Sequence, residues 1–511
     1  MSSRSQPVRA DAAQRFLQGD ARGGPRHVDV SPGDAFPREA WVAWFQLAAI
    51  GFGLVCRVSQ YAANTSIWHD EAFVALNVLQ KSVAGLLGPL EWSEAAPPGF
   101  LVVEKIVTAW LGHSEYAFRL IPLLAGLAGI ICFAGFARRV SGGGVAMGWA
   151  VLLMAGSEKL IVQANEVKHF TLDVLWAILL GWLAIRTARL RHPGAALLMW
   201  GALGAAGLWF SFASVFVFAG TSLALAPLAL RGWDQRQRLA YLVANIAACG
   251  SFLLLLGPIR AQRTGVMLTF WADSFPATQS LPALLYWLGR SHLGLFNYLW
   301  QPLGAPLLGL ALLGGLRLWR TGRRVELCCL WLPVVAALAA SFLSRWPFGG
   351  SQHMVFAAPA AILLEAEGIE AIRGRLAGWP RWAGVGCLLL LLLPGLANAA
   401  YRIGFPRQRH EVRPVIEFVQ RHRKPGDQFL VFCPAEVQFY TGVDFRGTSL
   451  EPDGSARVWL IATYARSGAL PVQGFLERLR TRRPQLDMVE TYGAVAYLFG
   501  PESVSGEPVS P

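Results

Sequence analysis

Apolar runs of roughly 15–20 residues recur along this chain, separated by short loops that carry arginine. A run of that length matches the hydrocarbon thickness of a bilayer, where only a helix satisfies its own backbone polar groups. Of the 511 residues, 54% are hydrophobic and only 15% charged, against about 25% charged in soluble domains. The pattern predicts a polytopic α-helical membrane protein of about eleven spans. They fall at 41–59, 118–137, 145–160, 170–187, 194–209, 212–230, 239–258, 302–318, 325–343, 353–368 and 383–400. Residues 1–40 hold Arg4, Arg9, Arg15, Arg22, Arg26 and Arg38 with no apolar stretch. They read as a disordered head, because the first run, from Trp41, is too late and too long for a cleavable signal.

Arginine position predicts the topology. Clusters at Arg138/Arg139, Arg186/Arg189/Arg191, Arg231/Arg236/Arg238, Arg317/Arg320/Arg323/Arg324 and Arg373/Arg375/Arg381 share one side with the head, which the positive-inside rule makes cytoplasmic. That count requires the short run 99–112, interrupted by Glu104 and Lys105, to lie on the membrane as an interfacial helix. Residues 281–300 read the same way. The net charge of +13 is then topological, and no basic-aromatic stripe points to nucleic acid. The cysteines, Cys56, Cys132, Cys249, Cys328, Cys329, Cys387 and Cys433, include no C-x-x-C pair, so neither a zinc site nor a disulfide framework is indicated. The outer side receives the loop 60–117, the turns 161–169 and 344–352, the loop 259–301 and the tail 401–511. The tail alternates helix and strand: RPVIEFVQRHR is a helix, QFLVFC a strand, RVWLIATYA a strand, PVQGFLERLRTR a helix and AVAYLFG a strand. It predicts a small soluble α/β domain.

The unusual polar residues gather on that outer face. WHDEAF, 68–73, places His69, Asp70 and Glu71 between aromatic residues. One of two adjacent carboxylates is often pushed to a raised pKa when buried, and a held carboxylate suits general-base work; solvated loop charges are the plain alternative. Glu166, His169 and Asp173 fall at i, i+3 and i+7, the spacing of one helix face, with Lys168 beside them. An ionisable residue as deep as Asp173 marks either a functional cavity or a structural ion pair. RWPFGGSQH, 345–353, puts Arg345, Gln352 and His353 at a helix start, where backbone N–H groups can receive an anion or Ser351 can cap. Arg119, Arg260 and Arg263 stand at the same level, and Pro97-Pro98 reads as an entry turn. No nucleotide loop, H-E-x-x-H or G-x-S-x-G element occurs. An outer cavity lined by acids and cations fits a lipid-borne phosphate.

In order and spacing, these motifs resemble the membrane glycosyltransferases of GT-C architecture, family-39 type, which include protein O-mannosyltransferases and lipid A aminoarabinose transferases. The family's Asp-Glu pair is matched by Asp70-Glu71 and its Pro-Pro element by Pro97-Pro98. Its Arg-Leu-Pro is matched by Arg119-Leu120 with Ile121 inserted before Pro122. Its Glu-x-Arg-x-Tyr is matched by Glu166 to Phe170, and its Pro-(Phe/Tyr)-Gly-Gly-Ser-Arg-His by Pro347 to His353. Lys168, Phe170 and Gln352 depart from the family's Arg, Tyr and Arg, which weakens two phosphate forks. Arg345, Arg260 or Arg263 then takes over, the donor sits differently, or activity is altered. The resemblance spans about residues 40–370, with the tail similar to the outer domains of many bacterial members.

The resemblance implies inverting transfer of one sugar from a polyprenyl-phosphate donor to an acceptor hydroxyl on a lipid, glycan or protein, at the outer face of a bacterial cytoplasmic membrane. Asp70 would be the base, with Glu71, Glu166 and His169 orienting sugar or acceptor. Lys168, Arg119 and a loop arginine would hold the phosphate. No cofactor is required, and a divalent cation on Asp70 and Glu166 stays open. Two other readings are a flippase for the same lipid and a non-catalytic scaffold whose tail binds a partner.

Overall fold

The computed structural model describes residues 36–375, 381–447, 451–463 and 470–502. Residues 1–35, most of the expected head, lie outside the described residues, so that expectation is not addressed.

Each apolar run is helical. The membrane part contains α1 (Phe36–Ala62), α2 (His69–Gln80), α3 (Pro98–Leu111), α4 (Glu115–Ser141), α5 (Gly144–Gly156), α6 (Glu158–Gln163), α7 (Phe170–Ala188), α8 (Gly194–Phe210), α9 (Ser214–Arg231), α10 (Gln235–Gln262), α11 (Gly265–Phe270), α12 (Leu281–Leu299), α13 (Gly304–Arg320), α14 (Arg324–Phe342), α15 (Ala358–Arg375) and α16 (Arg381–Gly404). Among the described residues, six helices are long and apolar enough to cross a membrane: α1 from Ala40, α4, α7, α9, α10 and α14. A seventh arises if α12 and α13, bent by 101°, are one broken span. The expected eleven runs are thus eleven helical regions, several short or charge-bearing. The run 145–160 is split at Ser157, whose hydroxyl donates to the Leu299 carbonyl, 2.9 Å.

The run 99–112 forms α3, begun by Pro98 at its first turn, where a missing N–H costs nothing. Its Ile106, Trp110 and Leu111 are exposed while Phe100, Leu101 and Glu104 are buried. Its outward face is therefore apolar although the helix is short. Helix α12 likewise exposes Leu281, Leu285, Tyr286 and Leu293.

Small residues let helices approach closely where no hydrophobic drive separates lipid from protein. A Cβ on Gly314 would collide with the Leu364 carbonyl, and one on Gly368 with the Leu310 carbonyl, so α13 and α15 meet backbone to backbone. Gly368→Val is expected to cost about 1–3 kcal/mol by overpacking, read as a lower unfolding midpoint in detergent. At that end of the bundle arginines of three clusters meet carboxylates or one another's backbone. Arg189 pairs with Glu326 and donates to the Arg139 carbonyl, 3.1 Å, while Arg317 and Arg323 both pair with Glu367.

The C-terminal region folds as a three-layer sandwich with sheet order β1-β2-β4-β3, formed by β1 (Gln428–Val431), β2 (Val458–Thr463), β3 (Gln485–Thr491) and β4 (Ala494–Phe499). β1 runs parallel to β2, and the other pairs are antiparallel. Alternation along the strands feeds two cores. Trp459, Ile461, Ala496 and Leu498 pack under α17 (Val412–His422) and α18 (Pro434–Thr441). Leu460, Val495, Tyr497 and Phe499 pack against α19 (Leu470–Arg482) on the other face.

Candidate active site

Helix α2 begins at the acidic pair, and one ion pair fixes that beginning. Glu71 is 1% exposed and takes a two-pronged grip from Arg119 of α4, Nε to Oε1 at 2.9 Å and Nη2 to Oε2 at 2.7 Å. The same carboxylate accepts the Val167 N–H at 2.9 Å and caps α2 through the Trp68 N–H at 3.3 Å. Arg119 also donates to the Thr65 and Ser66 carbonyls. The first outer loop, α4 and the turn 164–169 are therefore tied by one carboxylate. Because that carboxylate captures the Val167 N–H, the chain is not helical there. Glu166 and His169 lie in the turn before α7, and only Asp173 of the three is on the helix, so the single helix face expected from their spacing does not form.

The C-terminal domain clamps onto the same loop. Tyr440 of α18 accepts the Ile67 N–H at 2.8 Å and donates to Glu115 at 2.7 Å. Arg413 pairs with Glu115 at 2.9 Å, and the Ser66 hydroxyl donates to Glu411 at 2.8 Å.

Between the two parts lies a cavity of about 1100 Å³. Asp70, His69, Glu94, Glu166, Lys168 and His169 reach it from the membrane part, as do Gln352 and His353. The segment after α16 adds Arg407, Gln408, Arg409 and His410, and α18 adds Glu436. Aromatic walls come from Trp68, Phe73, Trp92, Phe170, Phe270, Trp271 and Tyr298. Aromatic walls with convergent polar groups are the usual make-up of a ligand site, and this one is unusually rich in charge. Trp92 and Ser93 hold φ of 64° and 52°, the strained backbone region that collects at functional sites.

The charges are arranged in pairs around Asp70. Burial pushes its carboxyl up, but the His69 hydrogen bond and the charges of Lys168, His69 and Arg409 outweigh this and hold it below its ordinary value. Its oxygen sits 3.1 Å from His69 Nε2. Lys168 Nζ meets Glu94 at 2.6 Å. Burial disfavours the Lys168 ammonium, yet Glu94, Asp70 and Glu166 raise its pKa overall. Glu166 is raised by burial against the opposing pull of Arg409, which pairs with it. Burial, Lys168 and His353 keep His169 well below its ordinary value, so its imidazole is neutral. Burial lifts Glu436 to about 6.

The cavity thus gathers Asp70, His69, Glu166, Lys168, His169, Gln352 and His353. It does not gather the rest. Arg119 and Glu71 are spent on each other. Asp173 is buried below the cavity, 3.8 Å from His169 Nε2. Arg260, Arg263 and Arg345 are exposed and do not line it, and Arg263 donates to the Ser344 carbonyl, 3.1 Å. Ser351 makes no cap hydrogen bond. The tail's contribution was missed from sequence. PRQRH, 406–410, carried the signal as a dense cationic run just after the last apolar helix, in a stretch otherwise read as a domain start.

No family model matches the sequence, nor does any curated protein. Solved structures do match in fold. ArnT from Cupriavidus metallidurans, bound to undecaprenyl phosphate, superposes with a TM-score of 0.51 at 14% identity, over 90% of this chain and 98% of that one. Its apo state gives 0.52. The archaeal oligosaccharyltransferase AglB from Archaeoglobus fulgidus, in complex with an inhibitory peptide and a dolichol-phosphate, gives 0.50 at 10% identity, over 93% of this chain and 76% of that one. The fold is that of the GT-C membrane glycosyltransferases.

Proposed function

We propose that this protein is an inverting glycosyltransferase that moves a single sugar from a polyprenyl-phosphate carrier to an acceptor hydroxyl. The observation that carries the reading is Asp70, held ionised on the wall of a large cavity beside Lys168 and Arg409, in a GT-C fold. The neighbours solved with undecaprenyl phosphate and dolichol-phosphate support a lipid-phosphate donor. By the positive-inside rule the arginine clusters are cytoplasmic, and the cavity, built by the opposite ends of the helices, opens outside.

In the proposed step, the acceptor oxygen attacks the anomeric carbon as its proton passes to Asp70. The bond from that carbon to the phosphate oxygen breaks on the opposite face, and its electron pair leaves with the phosphate. One displacement inverts the anomeric centre. Charge grows on the leaving phosphate, and preorganised cations stabilise it more in the transition state than in the ground state. His169 and Gln352 are neutral hydrogen-bonding groups suited to sugar hydroxyls.

A resident divalent cation on Asp70 and Glu166 fits poorly, because Glu166 is engaged by Arg409 and Glu94 by Lys168. EDTA treatment is expected to leave the transfer rate unchanged, measured in reconstituted vesicles. The reading itself is tested by offering purified protein a panel of labelled polyprenyl-phosphate sugars with cell-envelope acceptors. Release of free polyprenyl phosphate with labelled acceptor supports it. Movement of lipid across the bilayer without release makes the protein a flippase instead.

A further inference from the structure

The sequence places its phosphate-binding cations in the membrane part, but the cavity's cationic wall is completed by the segment after α16. Arg409 and Arg407 come from that segment and Lys159 from α6, and all three line the cavity. Their commitments differ. Arg407 is tied to Glu158 at 2.7 Å. Lys159 makes no ion pair among the described residues and lies 5.2 Å over the Tyr298 ring. Arg409 lies 3.7 Å over the face of Trp68, with Nη2 on Glu166 Oε1.

The contact with Trp68 places the guanidinium over the ring face and uses none of its N–H groups in a conventional hydrogen bond. Among the described residues, one hydrogen bond, to Glu166, uses them. A guanidinium presents five donors in a fork that matches two phosphate oxygens, and a partly occupied fork can exchange one oxyanion for another. The side chain remains 37% exposed, and Glu166 is 10% exposed, so a phosphate entering the cavity reaches Arg409 from the open side.

We propose that Arg409 is the cation that receives the lipid phosphate, and that the phosphate displaces Glu166 from it. The exchange has a consequence for the site. Glu166, released from Arg409, becomes an acceptor for a hydroxyl of the incoming sugar, so donor binding itself completes the sugar subsite. Lys159, on the same wall, supplies the second charge. The segment joining the last membrane helix to the soluble domain is in this way part of the donor site, and the family's weakened forks at Lys168 and Gln352 are compensated from it. The proposal rests on the lipid-phosphate reading above.

The test is equilibrium binding of radiolabelled undecaprenyl phosphate to the purified full-length protein in detergent. Arg409→Gln should weaken binding on the order of thirtyfold, as loss of a hydrogen bond to a charged group does, and Arg409→Lys should retain part of it. Glu166→Gln should bind more tightly, by about three- to tenfold, because the competitor for Arg409 is removed. Undecaprenol, which lacks the phosphate, should bind wild type and Arg409→Gln alike. Inorganic phosphate should compete only at far higher concentration, which separates a lipid headgroup from free phosphate. Wild-type protein that binds no undecaprenyl phosphate overturns the functional reading. Wild-type binding that Arg409→Gln leaves within about twofold overturns the Arg409 assignment alone. Equal loss of undecaprenol in Arg409→Gln overturns it too, since the residue would then act on cavity shape. A Glu166→Gln protein that binds as weakly as Arg409→Gln overturns the exchange.

Discussion

Asp70→Asn is expected to lower the sugar-transfer rate by roughly 10²- to 10⁴-fold, the range a positioned general base supplies, while undecaprenyl phosphate binding stays near wild type. The substitution keeps the side chain's size and removes only its ability to take a proton. Asp70 is half-buried, and its side-chain partner is His69, so the fold does not depend on its charge. The pH dependence gives a second readout. Burial pushes the carboxyl up, but His69, Lys168 and Arg409 hold it below its ordinary value. The acid limb that Asp70 sets in the wild-type rate therefore lies below the ordinary Asp range and disappears in the variant. Asp70→Glu should recover part of the rate, with its carboxylate displaced by one methylene. A folded Asp70→Asn protein that transfers sugar at the wild-type rate removes Asp70 from the base role.

Much of the architecture is written in local pattern. The apolar runs predict the helices because a bilayer leaves the backbone no other way to satisfy its polar groups. The β2 and β4 strands show in VWLIAT and AVAYLF because both are buried on two faces. β3 was missed, since QLDMVET is an exposed edge strand without an apolar run. The same limit applies to the site. WHDEAF and the 166–169 cluster were visible as charges out of place in an apolar chain. Which of them would face a ligand was not, because that depends on partners tens or hundreds of residues away. Arg119 looks like a phosphate cation until Glu71 is found to occupy its fork. Arg409 looks like domain-linker charge until Trp68 and Glu166 are found beneath it. Periodicity also misled where tertiary contacts override it: the i, i+3, i+7 spacing of Glu166, His169 and Asp173 needs a helix, and Glu71 removes the Val167 N–H from one.

Glu71→Ala is expected to be the most destabilising substitution at the site, and for a structural reason. Its carboxylate is 1% exposed and binds Arg119 through both oxygens, so removing it leaves a buried guanidinium uncompensated. Breaking one partner of such a pair costs about 3–5 kcal/mol. Arg119→Met should cost a similar amount, since it strands Glu71. Arg119→Lys keeps the charge but cannot grip both oxygens, and should fall between. Removing both partners need not add the two losses, because two hydrophobic groups can replace a buried pair at little cost. Here full recovery is not expected. Glu71 also accepts the Val167 N–H, and Glu71→Leu with Arg119→Met leaves that donor buried and unpaired, worth about 1–3 kcal/mol. The double-variant cycle in thermal or denaturant unfolding therefore separates two jobs of one carboxylate: pairing Arg119 and holding the 164–169 turn. If Glu71→Gln abolishes transfer with its unfolding midpoint and lipid binding unchanged, the carboxylate touches the reaction directly. The geometry predicts the opposite order, with stability falling first and activity following as Lys168 and Glu166 lose their place.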